Sequence, residues 1–337
     1  MNRISRRRFL SAGAAAGAAL SMPFLSKRAF AADKVTILLN WYIYGEHAPI
    51  FYGREKGLFA ANGIDLEIQE GRGSGITVQA VANKSAAFGY ADLPTMIRAA
   101  VKGAPVVSPG VLLQRCPMAA MGFADRNMRK AADIKGKTVA ITPGDSLSQI
   151  WPLFLKKAGL KESDVKIVSG DAQTKLNSVI NGQADLLIGY AMDQSMRIKD
   201  ATGKDVYPIM FADYGIRLVS SGVIAHADML KENADLVRRF MDAMTKSVEG
   251  AEKEPKAAID AILKANPKAG KPDTLLEGFR LTTQFYRTAE TKSARPFRVT
   301  EANMTESVDV LIEYGGLEPA AKANTKTFYT NEFLPKQ

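Results

Sequence analysis

The sequence contains very few of the residues that build metal sites and covalent chemistry. Its 337 residues include 1 cysteine, Cys116, and 2 histidines, His47 and His226. A single cysteine cannot form an internal disulfide, and so few ligands cannot supply a Cys/His metal cluster. Cys116 precedes a proline in an apolar stretch, which is more typical of a small buried residue than of a nucleophile. We therefore expect no metal and no cofactor.

Strong charge is also absent once the N-terminus is set aside. The chain carries 45 Lys and Arg against 35 Asp and Glu, a formal net charge of +10. Residues 1–31 hold six of the bases and no acid, which leaves 45 − 6 = 39 bases against 35 acids. No basic patch interleaved with aromatic residues remains, so we expect no nucleic-acid partner. No nucleophile with a neighbouring base and no paired carboxylates are evident, so we do not expect an enzyme.

The basic N-terminus has the three parts of an export signal. A twin arginine in "SRRRFL" (5–10) precedes an Ala/Gly-rich apolar stretch, and "AFA" (29–31) provides a small-residue cleavage site. The apolar stretch is about 15 residues long, short of the ~20 that a membrane span needs, which favours a cleaved signal over an anchor. The twin arginine predicts the twin-arginine export route and a periplasmic location. Cleavage after residue 31 and cleavage after residue 32 are both compatible with the pattern.

The remaining chain contains two similar halves. "GYADLP" (89–94) and "GYAMDQ" (189–194) each stand at the end of an apolar run. In both halves, the predicted elements that lead to this phrase follow the order β-α-β-α-β. The predicted strands are 34–41, 65–70 and 87–92 in the first half, and 136–142, 164–169 and 185–191 in the second. This order predicts an α/β protein with two related, mainly parallel sheets and flanking helices.

The C-terminal part is predicted to complete the first half. A strand at 218–226 is followed by a largely helical tail, which must bury its apolar face against another element. Packing onto the first half makes the chain cross twice between halves, as in a two-segment hinge. The predicted domains are a signal peptide (1–31), lobe 1 (32–122 plus 223–337) and lobe 2 (123–222).

A ligand cleft is predicted beyond the carboxyl ends of the strands, where open α/β sheets bind ligands. The repeated Gly-Tyr-Ala ends a central strand in each lobe, so Tyr90 and Tyr190 should face the cleft from opposite sides. The predicted ligand-binding residues at the strand ends and in the following loops are Asn40, Trp41, His47, Ser74, Tyr90 and Asp92 in lobe 1, and Ser146, Tyr190 and Asp193 in lobe 2.

Each candidate also has a structural explanation that the sequence leaves open. Ser74 and Ser146 are predicted N-caps, where a serine either stabilises the helix or helps to bind an anionic or carbonyl-bearing ligand. Trp41 and the two tyrosines either stack on a planar ligand or pack in the core. His47 and Asp92 stand at helix starts, where capping competes with ligand contact.

Several motifs resemble one known family. They are "LLNWYIYGEHAPIFYGREKGLFAANGIDLEI" (38–68), "AFGYADLPTMIRAAVKGAPVV" and "NGQADLLIGYAMDQ". These segments resemble the NMT1/THI5-like family, which joins bacterial periplasmic solute-binding proteins of ABC transporters to fungal thiamine-pyrimidine synthases. The resemblance implies a two-lobed, type II-like periplasmic binding protein fold. It also implies a small planar or anionic solute, such as a thiamine-pyrimidine-like heterocycle, a sulfonate, nitrate or an aromatic carboxylate.

The same resemblance implies the partners and one alternative. A monomer would deliver its solute to an ABC importer permease in the inner membrane. The alternative is a thiamine-pyrimidine synthase-like enzyme of the same fold. The resemblance implies that this enzyme branch carries a lysine and a histidine where this chain has Ala91 and Thr95, and a cysteine-rich iron motif where "YGIRLVSSGVIAH" has no cysteine. The family's acidic contact would fall at Tyr190, with Asp193 three residues further on. We therefore favour the binding protein.

Overall fold

The protein contains two five-stranded mixed sheets with flanking helices. The structure is a computed structural model that describes residues 32–315 and 317–336. The predicted signal peptide, 1–31, lies outside these residues.

The first sheet has the strand order β2-β1-β3-β10-β4. Its strands are β1 (Asp33–Leu38), β2 (Ile64–Gln69), β3 (Phe88–Asp92), β4 (Val106–Val111) and β10 (Ser221–His226). β1 pairs in parallel with β2 and β3, and β10 is antiparallel to β3 and β4. All five residues of β3 are buried, as expected for an apolar strand in the middle of a sheet that is covered on both faces.

The second sheet repeats this plan with the order β7-β6-β8-β5-β9. Its strands are β5 (Met118–Phe123), β6 (Thr138–Ile141), β7 (Lys166–Ser169), β8 (Leu186–Tyr190) and β9 (Val206–Met210). β6 pairs in parallel with β7 and β8, and β5 is antiparallel to β8 and β9. The expected pair of related, mainly parallel sheets is therefore confirmed.

Twelve α-helices are described. They are α1 (Ala48–Glu55), α2 (Leu58–Ala61), α3 (Ser74–Ala82), α4 (Leu93–Val101), α5 (Ser146–Lys157), α6 (Ala172–Ile180), α7 (Gln194–Thr202), α8 (Ala227–Glu232), α9 (Ala234–Lys253), α10 (Pro255–Ala265), α11 (Pro272–Thr283) and α12 (Glu301–Gly315). The long α9 is amphipathic and buries Phe240, whose ring stacks on Phe88 of β3 with 3.8 Å between centroids. This contact seats the helical tail on the first sheet. Within the described residues, no helix has both the length and the apolar character needed to cross a membrane.

The chain passes between the sheets in two places. β4 lies in the first sheet and β5 in the second, so the first crossing is within 112–117. β9 lies in the second sheet and β10 in the first, so the return is within 211–220. The first crossing precedes the predicted position near 122 because 118–123 pairs as a strand of the second sheet. Below, "lobe 1" and "lobe 2" denote the first and second sheets with their own loops and helices, the tail belonging to lobe 1.

Candidate ligand-binding cleft

A cleft lies between the lobes, beyond the carboxyl ends of β1 and β2 on one side and of β6 and β8 on the other. Its empty volume is about 370 Å³, part of which is open to solvent. The lining residues are Asn40, Trp41, Tyr44, Gly73 and Ser74 from lobe 1, and Asp145, Ser146, Leu147, Lys175, Tyr190, Asp193 and Gln194 from lobe 2. No group of three or more His, Cys, Asp or Glu residues in the described ranges could hold a metal ion.

The cleft brings together six of the nine residues predicted from the sequence. They are Asn40, Trp41, Ser74, Ser146, Tyr190 and Asp193. The other three lie behind its wall: His47 and Asp92 are completely buried, and Tyr90 is 1% exposed. The expectation that Tyr90 and Tyr190 face each other across the cleft is therefore not met, because only Tyr190 reaches the cavity.

The two serines begin their helices but do not cap them. The N-cap of α3 is Gly73, with φ of 124°, and the N-cap of α5 is Asp145, whose carboxylate accepts the N–H of Ser148 at 2.7 Å. The N-caps are therefore Gly73 and Asp145, one residue before the predicted Ser74 and Ser146. The Ser74 hydroxyl instead accepts the backbone N–H of Asp92 at 3.1 Å, which joins the first turn of α3 to the end of β3.

His47 supports the cleft through Asn40. The His47 ring nitrogen Nε2 lies 2.9 Å from Asn40 Oδ1, and burial lowers the pKa of His47 to about 3. The imidazole is therefore neutral at ordinary pH, and this bond fixes the orientation of the Asn40 amide. His47 precedes α1 but makes no side-chain capping bond, so neither role expected from its position is realised directly.

Tyr90 belongs to a buried network around Glu46. Its hydroxyl donates to Glu46 Oε1 at 2.8 Å, and the Tyr44 hydroxyl donates to Glu46 Oε2. Glu46 is 1% exposed, and burial raises the pKa of its carboxyl to about 7, although these two donors oppose the shift. Because Tyr44 lines the cleft, Glu46 fixes one cleft wall from behind.

Asp92 joins the two lobes at the hinge. As predicted, it begins α4, where its Oδ1 accepts the N–H of Thr95 at 3.2 Å. Its Oδ2 accepts from Ser220 Oγ at 3.2 Å and from the Tyr190 hydroxyl at 3.4 Å. Burial raises the pKa of Asp92 to about 6. This contact ties the end of β8 in lobe 2 to lobe 1 and to the second crossing segment.

A second contact between the lobes is centred on Asp193. The Tyr42 hydroxyl donates to Asp193 Oδ2 at 2.5 Å, and Arg197 Nε donates to Oδ1 at 2.9 Å. The Arg197 guanidinium lies over the Tyr42 ring, 4.2 Å from its centroid. Tyr42 follows β1 in lobe 1 and Asp193 follows β8 in lobe 2, so these contacts connect the two lobes beside the cleft.

Lys175 is a cleft residue that was not predicted from the sequence, and it pairs with Asp145, which directly precedes the predicted Ser146. Lys175 is 1% exposed, and its Nζ lies 3.7 Å from Asp145 Oδ2 and 5.5 Å from the centroid of the Trp41 ring. Burial lowers the pKa of Lys175 and raises that of Asp145, while each partner opposes the other's shift. One available signal was helical spacing, since Lys175 shares a face of α6 with the buried Ser178 and Val179.

Glycines allow the loops of the two lobes to approach closely. A Cβ atom at Gly75 would lie 3.3 Å from the carbonyl oxygen of Gly144, and one at Gly73 would lie 3.9 Å from Asp145. At the outer edge, Lys271 of lobe 1 forms an ion pair with Asp200 of lobe 2 at 2.7 Å. The lobes are therefore in contact on both sides of the cavity.

Comparison with known proteins places this architecture in a family. A family model described as NMT1/THI5 like matches residues 45–258. The riboflavin-binding protein RibY of Chloroflexus aurantiacus is 24% identical over 310 residues, which cover 90% of this chain and 86% of RibY. The 4-amino-5-hydroxymethyl-2-methylpyrimidine phosphate synthase of Legionella pneumophila is also 24% identical over 310 residues, covering 90% of this chain and 93% of that protein.

A solved structure supports the fold. The periplasmic aliphatic sulphonate binding protein SsuA of Escherichia coli superposes with a TM-score of 0.66 at 14% identity, covering 90% of this chain and 94% of SsuA. At that identity the likeness concerns the fold alone. Because the family model matches more than half of the chain, the protein belongs to the NMT1/THI5-like family, and its fold is that of the periplasmic binding proteins.

Proposed function

We propose that this protein is a periplasmic solute-binding protein that closes its two lobes on a small planar solute and delivers it to an ABC importer. The observation that carries the proposal is the cleft itself. It lies at the topological position where α/β sheets bind ligands, and both lobes contribute an aromatic ring and polar groups to it.

The cleft residues divide into direct contacts and supports. Trp41 offers a ring face for stacking on a planar solute, and Asn40, Ser74, Ser146, Tyr190 and Asp193 offer hydrogen bonds. His47, Tyr90 and Asp92 act from behind the wall. His47 holds the Asn40 amide, Tyr90 belongs to the Glu46 network that also binds Tyr44, and Asp92 holds Tyr190.

Closure couples binding to delivery. The bond from Tyr42 to Asp193 joins the two lobes away from the crossing segments, so opening of the lobes would break it. A solute that touches both lobes shifts the equilibrium towards this closed state by its difference in affinity for the two states. Micromolar binding would correspond to about 8 kcal/mol. The importer permease would then recognise the closed surface of a monomer.

Trp41→Ala tests the binding role. Loss of the stacking surface should weaken binding of the co-purifying solute, identified by mass spectrometry, roughly tenfold to a hundredfold in isothermal titration calorimetry. Trp151→Phe is the matched control, because Trp151 packs against Phe154 away from the cleft and should leave the affinity unchanged. Equal affinities of the Trp41→Ala variant and the unmodified protein would remove Trp41 from the site.

Export tests the proposed location. Replacing Arg6 and Arg7 of the predicted twin-arginine signal with lysine should leave the precursor in the cytoplasm, as measured by fractionation and immunoblotting. A precursor that still reaches the periplasm would contradict the twin-arginine route.

A synthase-like enzyme remains the second candidate, because one relative is named a 4-amino-5-hydroxymethyl-2-methylpyrimidine phosphate synthase. The residues argue against it here. Thr95 is engaged with Asp92, and Cys116, the one cysteine of the sequence, is buried with the pKa of its thiol raised to about 12. The enzyme candidate predicts that the purified protein releases a pyrimidine product when iron is added without substrate. The binding-protein proposal predicts no product.

A further inference from the structure

We propose that Lys175 and Asp145 together select a neutral ring that carries a hydrogen-bond acceptor beside a donor, and that they reject free anions. This inference rests on the proposed binding function and narrows the class of solute. It separates neutral heterocycles from nitrate, sulfonates and aromatic carboxylates, all of which are compatible with a planar or anionic ligand.

The pair keeps unused hydrogen-bonding capacity, and both of its residues line the cleft. The distance of 3.7 Å between Lys175 Nζ and Asp145 Oδ2 is that of an ion pair but is too long for a hydrogen bond. Among the described residues, Asp145 Oδ2 has no hydrogen-bond partner although it is buried. A buried carboxylate oxygen without a donor is costly, and a ligand N–H group would remove that cost.

The position of the pair relative to Trp41 defines the orientation of a ligand. Lys175 Nζ lies 5.5 Å from the centroid of the Trp41 ring, and Trp41, Asp145 and Lys175 all line the same cavity. A ring bound beside Trp41 in this cavity therefore has Lys175 and Asp145 within reach of one edge. Lys175 donates to an acceptor on that edge, and Asp145 Oδ2 accepts from the neighbouring N–H group.

The charges of the cleft argue against an anion. Lys175 is balanced by Asp145, and Asp193 by Arg197, so the two ion pairs are neutral without a ligand. A bound anion would add an uncompensated charge to a largely desolvated site, which is expensive. The positive end of the α5 dipole is already occupied, because the Asp145 carboxylate caps the helix by accepting the Ser148 N–H.

Asp145→Asn is the sharpest test. Asparagine is as good an N-cap as aspartate, so its Oδ1 keeps the bond to Ser148 while an amide donor replaces the Oδ2 acceptor. The matched control is Asp171→Asn, because Asp171 caps α6 by accepting the Thr174 N–H at 2.8 Å and is exposed outside the cleft. Thermal unfolding of both variants checks that the caps are retained.

Some of the probes carry a hydrogen-bond acceptor beside a donor on one ring edge, and the others lack this pair. Neutral probes with an adjacent acceptor and donor are 4-amino-5-hydroxymethyl-2-methylpyrimidine and riboflavin. Their matched analogues, 5-hydroxymethyl-2-methylpyrimidine and N3-methylriboflavin, lack the donor. The anions are nitrate, methanesulfonate and benzoate. Binding is measured by isothermal titration calorimetry, after removal of co-purifying solute, with each probe at up to about 1 mM.

We expect at least one neutral probe to bind and its donor-lacking analogue to bind at least about tenfold more weakly. We expect no anion to bind more tightly than that probe. Asp145→Asn should weaken the neutral probe about tenfold or more and strengthen anion binding severalfold, because a negative charge is lost. Asp171→Asn should change neither the affinity for the neutral probe nor the affinity for the anions. A purely structural ion pair would not reverse the ranking of ligands.

Three results would overturn the inference: tighter binding of an anion than of every neutral probe, an unchanged ratio of neutral-probe affinity to anion affinity in Asp145→Asn, or binding of no neutral probe. Anion binding and lobe closure test the proposed binding function separately from the proposed selectivity. If an anion binds and compacts the protein in small-angle scattering, the binding protein stands and only the selectivity fails. If no probe of either class binds and no solute co-purifies, both fail.

Discussion

Replacing Glu46 by glutamine should remove a specific part of the pH dependence of folding stability. Glu46 is buried between the hydroxyls of Tyr44 and Tyr90, and burial raises the pKa of its carboxyl from 4.5 to about 7. An acid whose pKa is raised on folding favours the folded state when protonated. The free energy of unfolding therefore falls as the pH rises from the unfolded pKa towards the folded pKa, and then levels off.

The size of this effect follows from the two pKa values. The full difference between the unfolded and folded pKa values corresponds to about 3 kcal/mol. Between about pH 6 and about pH 8.5, the Glu46 contribution falls by about 1 kcal/mol, because the unfolded carboxyl is already ionised while the folded one still titrates. Glutamine keeps the shape and one acceptor oxygen but cannot ionise.

Urea unfolding of both proteins at the two pH values measures the effect. The stability of Glu46→Gln minus that of the unmodified protein should increase by about 1 kcal/mol from the lower to the higher pH. The neutral His47 also contributes to the pH dependence, but it is present in both proteins and cancels in the difference. Glu232→Gln, at an exposed glutamate, is the control for the loss of a carboxylate at the surface. A constant difference between Glu46→Gln and the unmodified protein would refute the buried, titrating carboxyl.

Two further predictions concern closure of the lobes. In Gly278→Ala, the new Cβ would lie 2.7 Å from the carbonyl oxygen of Met192 in lobe 2, so closure should be blocked while the helix itself is slightly favoured. Solute affinity should fall about tenfold or more, and ligand-induced compaction in small-angle scattering should be lost. Full compaction of this variant would contradict the proposed closed contact. Tyr42→Phe removes the donor to Asp193 and should weaken solute binding about tenfold with little change in the stability of the solute-free protein, whereas unchanged affinity would show that this bond does not hold the lobes together.

Two of the strands that the sequence predicted are fully buried in the middle of their sheets. β3 and β8 are short apolar runs ending in the same Gly-Tyr motif, and all five residues of each are buried. Such runs are recognisable because a strand covered on both faces is apolar throughout. The edge strand β2 was recognised instead from its alternation of polar and apolar residues, which matches its alternation of exposed and buried positions.

β4 and β9 were not predicted, and their sequences explain why. They contain Pro109 and Pro208, and proline weakens a strand pattern because it cannot donate to the ladder. Both are edge strands of their sheets, where proline is tolerated. β5 was also missed, and its pairing with β8 and β9 moves the first crossing to 112–117.

The sequence by itself determined the fold class, because hydrophobic periodicity and turn residues act over short distances along the chain. It also located six of the residues that line the cleft, because parallel strands place their carboxyl ends at a common edge. Only the tertiary structure decided that Tyr90 turns inward to Glu46 and that Lys175, Asp145 and Trp41 meet. These contacts join residues far apart in the chain, and they depend on how two lobes close on each other rather than on any local pattern.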